Sequence, residues 1–259
     1  MVISHAKRFG MFLPWKTASQ TLALRLRPYD ESPYSKFFEF NPHLNRVIHQ
    51  HLTCADFAAL PESRLGYFTG SFVRNPYDRA YSGFGELQRA VRWQPNLKFP
   101  SDWVRELVMT QLAETDMQLR RADYQFDAWI ALLDEAQIYE AGRNTGFPLH
   151  PAHYWTHVAG RQCVDVVGRV ERFEPDFASF CAHVGIEAGA ENSNVVDLEA
   201  GSRTNPFGYR YVDRMNAASL TKINRLFAKD FELFGYRTVT GPATRSTAYR
   251  PAAGPIKAL

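Results

Sequence analysis

The chain has 259 residues, 45% of them hydrophobic and 22% charged, with a formal net charge of +3 and a pI near 8.7. This composition is typical of a globular protein with an ample core, and the mild basicity is too weak to indicate a nucleic-acid partner. Three cysteines do not form a disulfide framework, and no apolar run is long enough for a transmembrane segment. The N-terminal apolar run is interrupted by Pro14 and Lys16, unlike a signal peptide, so we expect a cytoplasmic protein.

The first half of the chain alternates predicted strands with predicted helices. Short apolar runs bounded by turn residues predict strands, and apolar residues three and four apart predict helices. Pro28 ends the first helix, and Asn75 with Pro76 forms a turn after the third strand. In chain order the elements are strand 8–14, helix 21–26, strand 46–51, strand 65–73 and helix 78–92.

The second half continues the pattern with longer helices. In chain order its elements are helix 124–135, strand 136–141, strand 163–168, helix 173–184 and helix 212–234. Gly185 and Gly235 follow two of these helices as C-terminal caps, and Pro175 stands in a first helical turn. The last residues, 238–259, have no periodicity and predict a flexible tail behind a domain of residues 1–237.

Strands that alternate with helices predict a single-domain α/β fold, with a mostly parallel central sheet flanked by helices. In such sheets ligands bind at the carboxyl ends of the strands. Lys16, His51 and Arg74 each lie near the end of a predicted strand. We therefore expect these three side chains at the same edge of the sheet.

The stretch "FLPWKTASQTLALRL", residues 12–26, places a lysine and hydroxyl residues between a strand and a helix. A helix N-terminus presents backbone N–H groups and a positive dipole end, so a phosphate could bind there. The candidate ligands are Lys16, Thr17, Ala18, Ser19, Gln20 and Thr21. The alternative is a surface lysine before an ordinary Ser or Thr N-cap. The Walker pattern GxxxxGK[ST] is absent, which disfavours an ATPase or ordinary kinase.

A second candidate phosphate site lies in "SFVRNPYDRAYSGF", residues 71–84. Arg74 follows a strand directly and could grip a phosphate in fork geometry, and Ser82, eight residues later, could donate a hydroxyl. The alternative is that Arg74 and Arg79 only pair with Asp78.

Two histidines form a third candidate. His49 and His51 are two residues apart, so on a strand they would share a face. A histidine with an ordinary pKa near 6.5 suits general-base chemistry at neutral pH. Surface histidines, or half of an incidental metal site, remain the alternatives. Two ligands with no nearby third make a poor zinc site, so we expect no metal.

Taken together, "KTASQT" and "VRNPYDRAYS" resemble motifs of the sulfotransferase superfamily that uses 3′-phosphoadenosine 5′-phosphosulfate (PAPS). "VVGRVERFEPDFASFCAHVGI" is similar to its Gly-Arg-x-Glu segment, and "INRLFAKDFELFGY" to the closing helix of its carbohydrate branch. The resemblance implies a three-layer, P-loop-like fold. It also implies that the first loop binds the 5′-phosphosulfate, and that Arg74 and Ser82 bind the 3′-phosphate.

"VIHQHLTCADF" resembles the His-x-His segment of uronyl and heparan sulfate 2-O-sulfotransferases, and the chain is also similar to bacterial family 2 sulfotransferases. The resemblance implies that His51 is the catalytic base, that His49 assists it, and that Lys16 stabilises the leaving oxygen. Arg203, in a basic and aromatic stretch, is the candidate for another 3′-phosphate contact, with a surface loop as the alternative.

Two stretches depart from the pattern of that superfamily. Trp15 stands between Pro14 and Lys16, where the family usually has Pro-Lys adjacent. "AHYWTHV", residues 152–158, stands where related proteins often have His-x-x-Pro-Gln, and it lacks the Pro-Gln. The first departure concerns the loop that would approach the donor, and the second concerns the stretch that would contact the acceptor.

The function implied by the resemblance is transfer of the sulfuryl group of PAPS to a hydroxyl acceptor, which we expect to be a saccharide. The partners would then be a small-molecule donor and a hydroxyl-bearing acceptor. Two alternatives remain open: a catalytically inactive nucleotide-binding protein, and an ATP-dependent phosphotransferase of the P-loop type.

Overall fold

The computed structural model describes residues 1–34, 38–139, 149–189 and 207–240. These residues divide into two compact units. The first contains the described parts of residues 1–74 and 152–189, and the second those of residues 75–151 and 207–240. Arg203 and residues 241–259, most of the predicted tail, lie outside the described residues.

The strands of the described residues all lie in the first unit. They are β1 (Val2–Ser4), β2 (Phe9–Phe12), β3 (Glu39–Asn41), β4 (Arg46–Ile48), β5 (Phe68–Val73), β6 (His157–Val158), β7 (Arg161–Gln162) and β8 (Val166–Arg169). The helices are α1 (Ser19–Leu26), α2 (Cys54–Ala58), α3 (Pro76–Trp93), α4 (Asp102–Arg121), α5 (Phe126–Leu132), α6 (Glu135–Tyr139), α7 (Phe173–Val184), α8 (Ala217–Leu226) and α9 (Ala228–Phe234). Helices α1, α2 and α7 belong to the first unit. Within the described ranges, no helix is long and apolar enough to cross a bilayer.

A four-stranded sheet in the order β1-β2-β5-β8 forms the centre of the first unit. Strands β2, β5 and β8 run parallel, and β1 pairs with β2 in the antiparallel sense. This confirms the mostly parallel sheet expected from the sequence. Phe12 pairs with Ser71, so β2 and β5 end at nearly the same level and the loops after both strands leave from one edge.

One face of this sheet packs on α7 through aromatic rings. Phe9 of β2 meets Phe180 edge-on, with ring centroids 5.5 Å apart. Gly70 of β5 lies beneath the same ring, where an added Cβ would come within 2.9 Å of it. Glycine at this position therefore lets α7 approach the sheet closely. On the opposite face, Phe12 packs edge-on against Phe57 of α2.

An ion pair between a buried arginine and a partly exposed glutamate connects α1 to α7. The guanidinium of Arg25, whose side chain is only 4% exposed, donates two hydrogen bonds of 2.8 and 2.6 Å to the carboxylate of Glu174. It also lies over the rings of Phe173 and Phe177. Because a buried charge is costly unless it is paired, this contact fixes the position of α1, and with it the loop before α1.

Three predicted elements differ in the structure. Residues 136–139 of the predicted strand 136–141 are helical, in α6, since Glu135, Ala136 and Gln137 are good helix formers. The predicted strand 46–51 ends at Ile48, and it pairs with β3 in a separate two-stranded sheet. The predicted helix 212–234 is broken at Phe227, whose φ of −115° is not helical, into α8 and α9.

Most of the other predicted elements are confirmed, with shifted ends. Pro28 lies in a short 3-10 helix, Arg27–Tyr29, directly after α1. Gly185 and Gly235 adopt the left-handed conformation expected of C-terminal caps. The long helix α4 was not predicted, because only Val104, Val108 and Leu119 of it are buried. Three buried residues over 20 positions leave too sparse an apolar pattern to recognise.

Candidate active site

The loop between β2 and α1 has an unusual backbone. Lys16 and Ala18 both adopt the left-handed conformation, with φ values of 62° and 60°. Between them, the hydroxyl of Thr17 donates a 2.9 Å hydrogen bond to the carbonyl of Pro14 and closes the turn. The first N–H groups of α1 follow at once, and the side chain of Ala18, at the N-cap, gives them no hydrogen bond.

This backbone shows how the loop turns without the glycines of the usual phosphate-binding loop. Phosphate-binding loops use glycine where the backbone must turn left-handed, but here residues with side chains hold those positions at a conformational cost. Left-handed residues next to a helix N-terminus direct backbone N–H groups toward one concave region, which is the geometry of an anion-binding nest. Strained residues of this kind are concentrated at functional sites.

The side chains of the loop differ in exposure. Thr17, Ser19 and Thr21 are buried, Lys16 is half-buried and Gln20 is exposed. Because the Thr17 hydroxyl donates its proton to Pro14, the backbone N–H is its remaining donor for a ligand. The ligand roles of residues 16–21 stay a prediction.

His51 is held by hydrogen bonds at three of its four polar atoms. Its ring Nδ1 bonds the carbonyl oxygen of Leu13 at the end of β2. Its backbone N–H donates to Nδ1 of His49 at 3.0 Å, and its carbonyl accepts from the indole N–H of Trp155 at 3.1 Å. A carbonyl can only accept, so Nδ1 carries the proton and Nε2 keeps its lone pair. Among the described residues, no hydrogen bond reaches Nε2.

Burial lowers the pKa of His51 well below the usual value of 6.5. The nearby His49, the amino group of Met1 and Lys16 act in the same direction, whereas the hydrogen bond to Leu13 opposes them. At neutral pH the ring is therefore neutral and can accept a proton.

The histidines reach the edge of the main sheet by a different route from the one expected. Strand β4 lies in the separate two-stranded sheet and ends at Ile48, so the two residues are not neighbours on one face of a strand. The Nδ1 contact with Leu13 places His51 beside the loop instead.

Aromatic rings surround this pair of histidines. The indole of Trp15 lies against His51, with ring centroids 4.5 Å apart and planes tilted by 34°, and it meets His49 edge-on at 5.9 Å. Phe38 meets the ring of His49 edge-on at 6.4 Å. Trp15 is itself half-buried.

Arg74 and Ser82 lie in different units. Arg74 is buried and follows β5 at the edge of the sheet where the Lys16 loop also lies. Ser82 is half-buried in α3 of the second unit. Their phosphate roles stay a prediction.

In the second unit, Arg79 does not pair with Asp78, as one alternative prediction had it. The carboxylate of Asp78 accepts hydrogen bonds from the side chain of Asn75 and from the backbone N–H groups of Arg210 and Tyr211. Arg79 is fully buried, donates to the carbonyl of His150 and lies 3.9 Å from Asp230.

The described residues contain no group of three or more His, Cys, Asp or Glu side chains placed to hold a metal ion. His153 is buried and His157 half-buried near Trp155.

Sequence reasoning missed two partners of His51, Leu13 and Trp155. They lie 38 and 104 positions away along the chain. Leu13 contributes its backbone carbonyl, which every residue has, and Trp155 its indole N–H, which every tryptophan has. A pattern in one sequence therefore had no signal for either contact.

A family model described as "Sulfotransferase family" matches residues 16–237, which is most of the chain and includes every candidate site residue. The match makes the protein a transferase by class. The chain belongs to the sulfotransferase family, and the resemblance to its carbohydrate branch is consistent with this. No curated protein and no solved structure matches the chain.

Proposed function

We propose that the protein transfers the sulfuryl group of PAPS to a hydroxyl of a saccharide, with His51 as the general base. The observation that carries the proposal is the state of His51. The ring is neutral, its proton is on Nδ1, and the imidazole lies beside the loop in which Lys16 and Ala18 are left-handed.

In the proposed step, Nε2 of His51 takes the proton of the acceptor hydroxyl. The acceptor oxygen forms a bond to sulfur while the bond from sulfur to the 5′-phosphate oxygen of PAPS breaks. The products are the sulfate ester and adenosine 3′,5′-bisphosphate, and the proton remains on His51 until it passes to solvent. Positioning in line and electrostatic stabilisation supply most of the rate, as in phosphoryl transfer.

The loop after β2 is proposed to hold the phosphosulfate. Backbone N–H groups at the start of α1 and the ammonium of Lys16 would stabilise the charge that develops on the departing phosphate oxygen. Arg74, at the end of the neighbouring strand, would hold the 3′-phosphate, together with Ser82. Arg203 belongs to the same proposal.

The saccharide acceptor is supported by the half-buried Trp15 beside His51, since aromatic rings suit the apolar faces of sugar rings. The mild positive charge of the chain suits an anionic sugar. No metal is needed for the proposed step, and a cytoplasmic location remains part of the proposal.

The test is transfer of labelled sulfate from PAPS to a panel of saccharide, lipid and phenol acceptors, with products identified by mass. His51→Asn can still donate to the Leu13 carbonyl but has no base, so we expect the rate to fall at least 100-fold. His43→Asn, at an exposed histidine, should leave the rate unchanged. Near-normal turnover of His51→Asn would refute the assignment of the base.

A thermal-shift comparison separates the alternatives. Adenosine 3′,5′-bisphosphate should raise the melting temperature more than ATP, and Arg74→Ala should abolish that preference. A preference for ATP would favour a phosphotransferase. Binding of the bisphosphate with no sulfated product on any acceptor would favour an inactive nucleotide-binding protein.

A further inference from the structure

Each of the two stretches that depart from the family pattern contains a tryptophan that contacts His51. Trp15 is inserted before Lys16, and Trp155 lies in "AHYWTHV", 140 positions later. The first contacts the imidazole ring, and the second donates to the backbone carbonyl of the same residue. We propose that these two side chains, here called the indole clamp, hold His51 in its reactive orientation, with Trp155 as a positioning residue. This inference rests on the proposed role of His51.

The role of Trp155 follows from the hydrogen bonds around His51. Trp155 is 1% exposed, and its N–H supplies the partner of the His51 carbonyl. Two residues further on, Thr53 begins α2 with a reciprocal capping box to Asp56, which fixes the chain on that side. With the peptide held at both points, the imidazole keeps one orientation, and its Nδ1–H stays directed at Leu13.

Without the indole N–H, the buried carbonyl of His51 would lose its partner, and an unpaired buried polar group is costly. The peptide would then rotate toward water, and the bond from Nδ1 to Leu13 would loosen. Nε2 would no longer point in one direction. A general base that is displaced by a fraction of an ångström loses rate, because proton transfer depends on alignment.

The role of Trp15 follows from its ring contact. With centroids 4.5 Å apart, the π face of the indole lies near an imidazole that becomes positively charged when it takes the proton. A cation is attracted to the face of an aromatic ring, most strongly to tryptophan and in buried surroundings. Trp15 therefore stabilises the imidazolium that forms during transfer. The other groups whose charge bears on His51 are His49, Lys16 and the amino group of Met1.

The experiment for Trp155 removes only its N–H. Trp155 is replaced by β-(3-benzothienyl)alanine, which keeps the bicyclic shape and has sulfur in place of the N–H. The same replacement at Trp129 is the matched control, since Trp129 is equally buried and its N–H has no hydrogen-bond partner. Two quantities are measured: the exchange of the His51 Nδ1–H with water, by NMR of ¹⁵N-labelled protein, and kcat with KM for PAPS.

We expect the replacement at position 155 to raise the Nδ1–H exchange rate at least tenfold and to lower kcat about tenfold, with KM for PAPS changed less than twofold. The replacement at position 129 should change none of these. If the replacement at position 155 leaves the exchange rate of the His51 Nδ1–H unchanged, the positioning role of Trp155 is refuted, whatever the effect on kcat. If exchange rises but no form of the protein transfers sulfate, the clamp stands and the proposed function fails.

The experiment for Trp15 compares Trp15→Leu with Trp15→Phe. Leucine keeps an apolar side chain over His51 without a π face, and phenylalanine restores the face. We expect Trp15→Leu to lower kcat about tenfold and Trp15→Phe to stay within threefold of the unmodified protein, with folding of both checked by circular dichroism. Equal rates for the two variants would overturn the role given to the indole ring.

Discussion

Two regions of the molecule bury polar side chains just after a strand. The regions differ in whether these side chains keep an acceptor that is not used within the described residues. In the His51 corner, made of residues 13–18 and 49–51, three polar atoms of His51 are bonded and Nε2 has no hydrogen bond among the described residues. In the Asn75 turn, residues 75–79, the side chains of Asn75, Asp78 and Arg79 all bond groups of the protein.

The difference shows that burial of polar residues does not by itself mark a reactive site. At the Asn75 turn, Asp78 spends both carboxylate oxygens on backbone N–H groups and on Asn75, which leaves the carboxylate a structural role. In the His51 corner, the hydrogen bonds orient a side chain and still leave one acceptor for a substrate. Variants that separate stability from activity test this contrast.

The largest expected effect is on the Asn75 turn. Asp78→Ala would remove the buried carboxylate that accepts from two part-buried backbone N–H groups and from the Asn75 amide, so we expect the free energy of unfolding to fall by about 3 kcal/mol. Urea unfolding measures it. Glu232→Ala removes the same charge from an exposed position and should change stability by less than about 0.5 kcal/mol. Similar values for the two variants would contradict a structural role for Asp78.

The next effect concerns the support of the His51 corner by α1 and α7. Glu174→Ala would remove the carboxylate that pairs with the buried Arg25 charge, and because Glu174 itself is 55% exposed we expect the free energy of unfolding to fall by about 2 kcal/mol rather than by the full cost of a buried pair. Arg25→Met removes the charge and keeps an apolar side chain, so it should cost less. Urea unfolding of both variants checks the order, and a larger loss in Arg25→Met would refute it.

A smaller effect is the dependence of stability on pH. Because the folded pKa of His51 lies below its unfolded value of 6.5, the unfolded state binds the proton first, and stability falls as the pH drops below 6.5. Between pH 7.5 and 5.5 the loss from this group approaches about 1.4 kcal/mol. Urea unfolding should show that His51→Asn loses correspondingly less over this range. His43→Asn should keep the full dependence, and an identical dependence in His51→Asn would contradict the burial of a neutral ring.

The smallest effect is on the loop backbone. Ala18→Gly relieves a left-handed residue and should raise the free energy of unfolding by about 1 kcal/mol. Ala23→Gly, within α1, should lower it by a similar amount. Urea unfolding of the two variants gives the comparison. A loss of stability in Ala18→Gly would mean that this conformation stores no strain.

Local patterns predicted much of the fold. The apolar run of β2, the apolar residues three and four apart in α3 and the glycine caps of α7 and α9 are features of neighbouring residues, and the structure contains all of these elements. The predicted strand 136–141 was wrong over residues 136–139, where the helix propensity of residues 135–137 prevails.

The arrangement of the candidate site was harder to predict from the sequence than the fold. The sequence indicated Lys16 and His51, but their surroundings depend on residues far apart in the chain. The Nδ1 contact of His51 joins positions 38 apart, and the bond from Asp78 to Tyr211 joins positions 133 apart. The left-handed backbone at Lys16 and Ala18 was also hidden, since residues other than glycine give no signal for it.

The order of synthesis gives the Arg25–Glu174 contact a further consequence. The first unit is discontinuous, so its third parallel strand, β8, and helix α7 leave the ribosome only after residues 75–151 have been made. Until then Arg25 lacks the carboxylate of Glu174, and the apolar faces of α1 and β2 have no α7 to cover them. During translation, the N-terminal segment therefore exposes apolar surface that chaperones can protect.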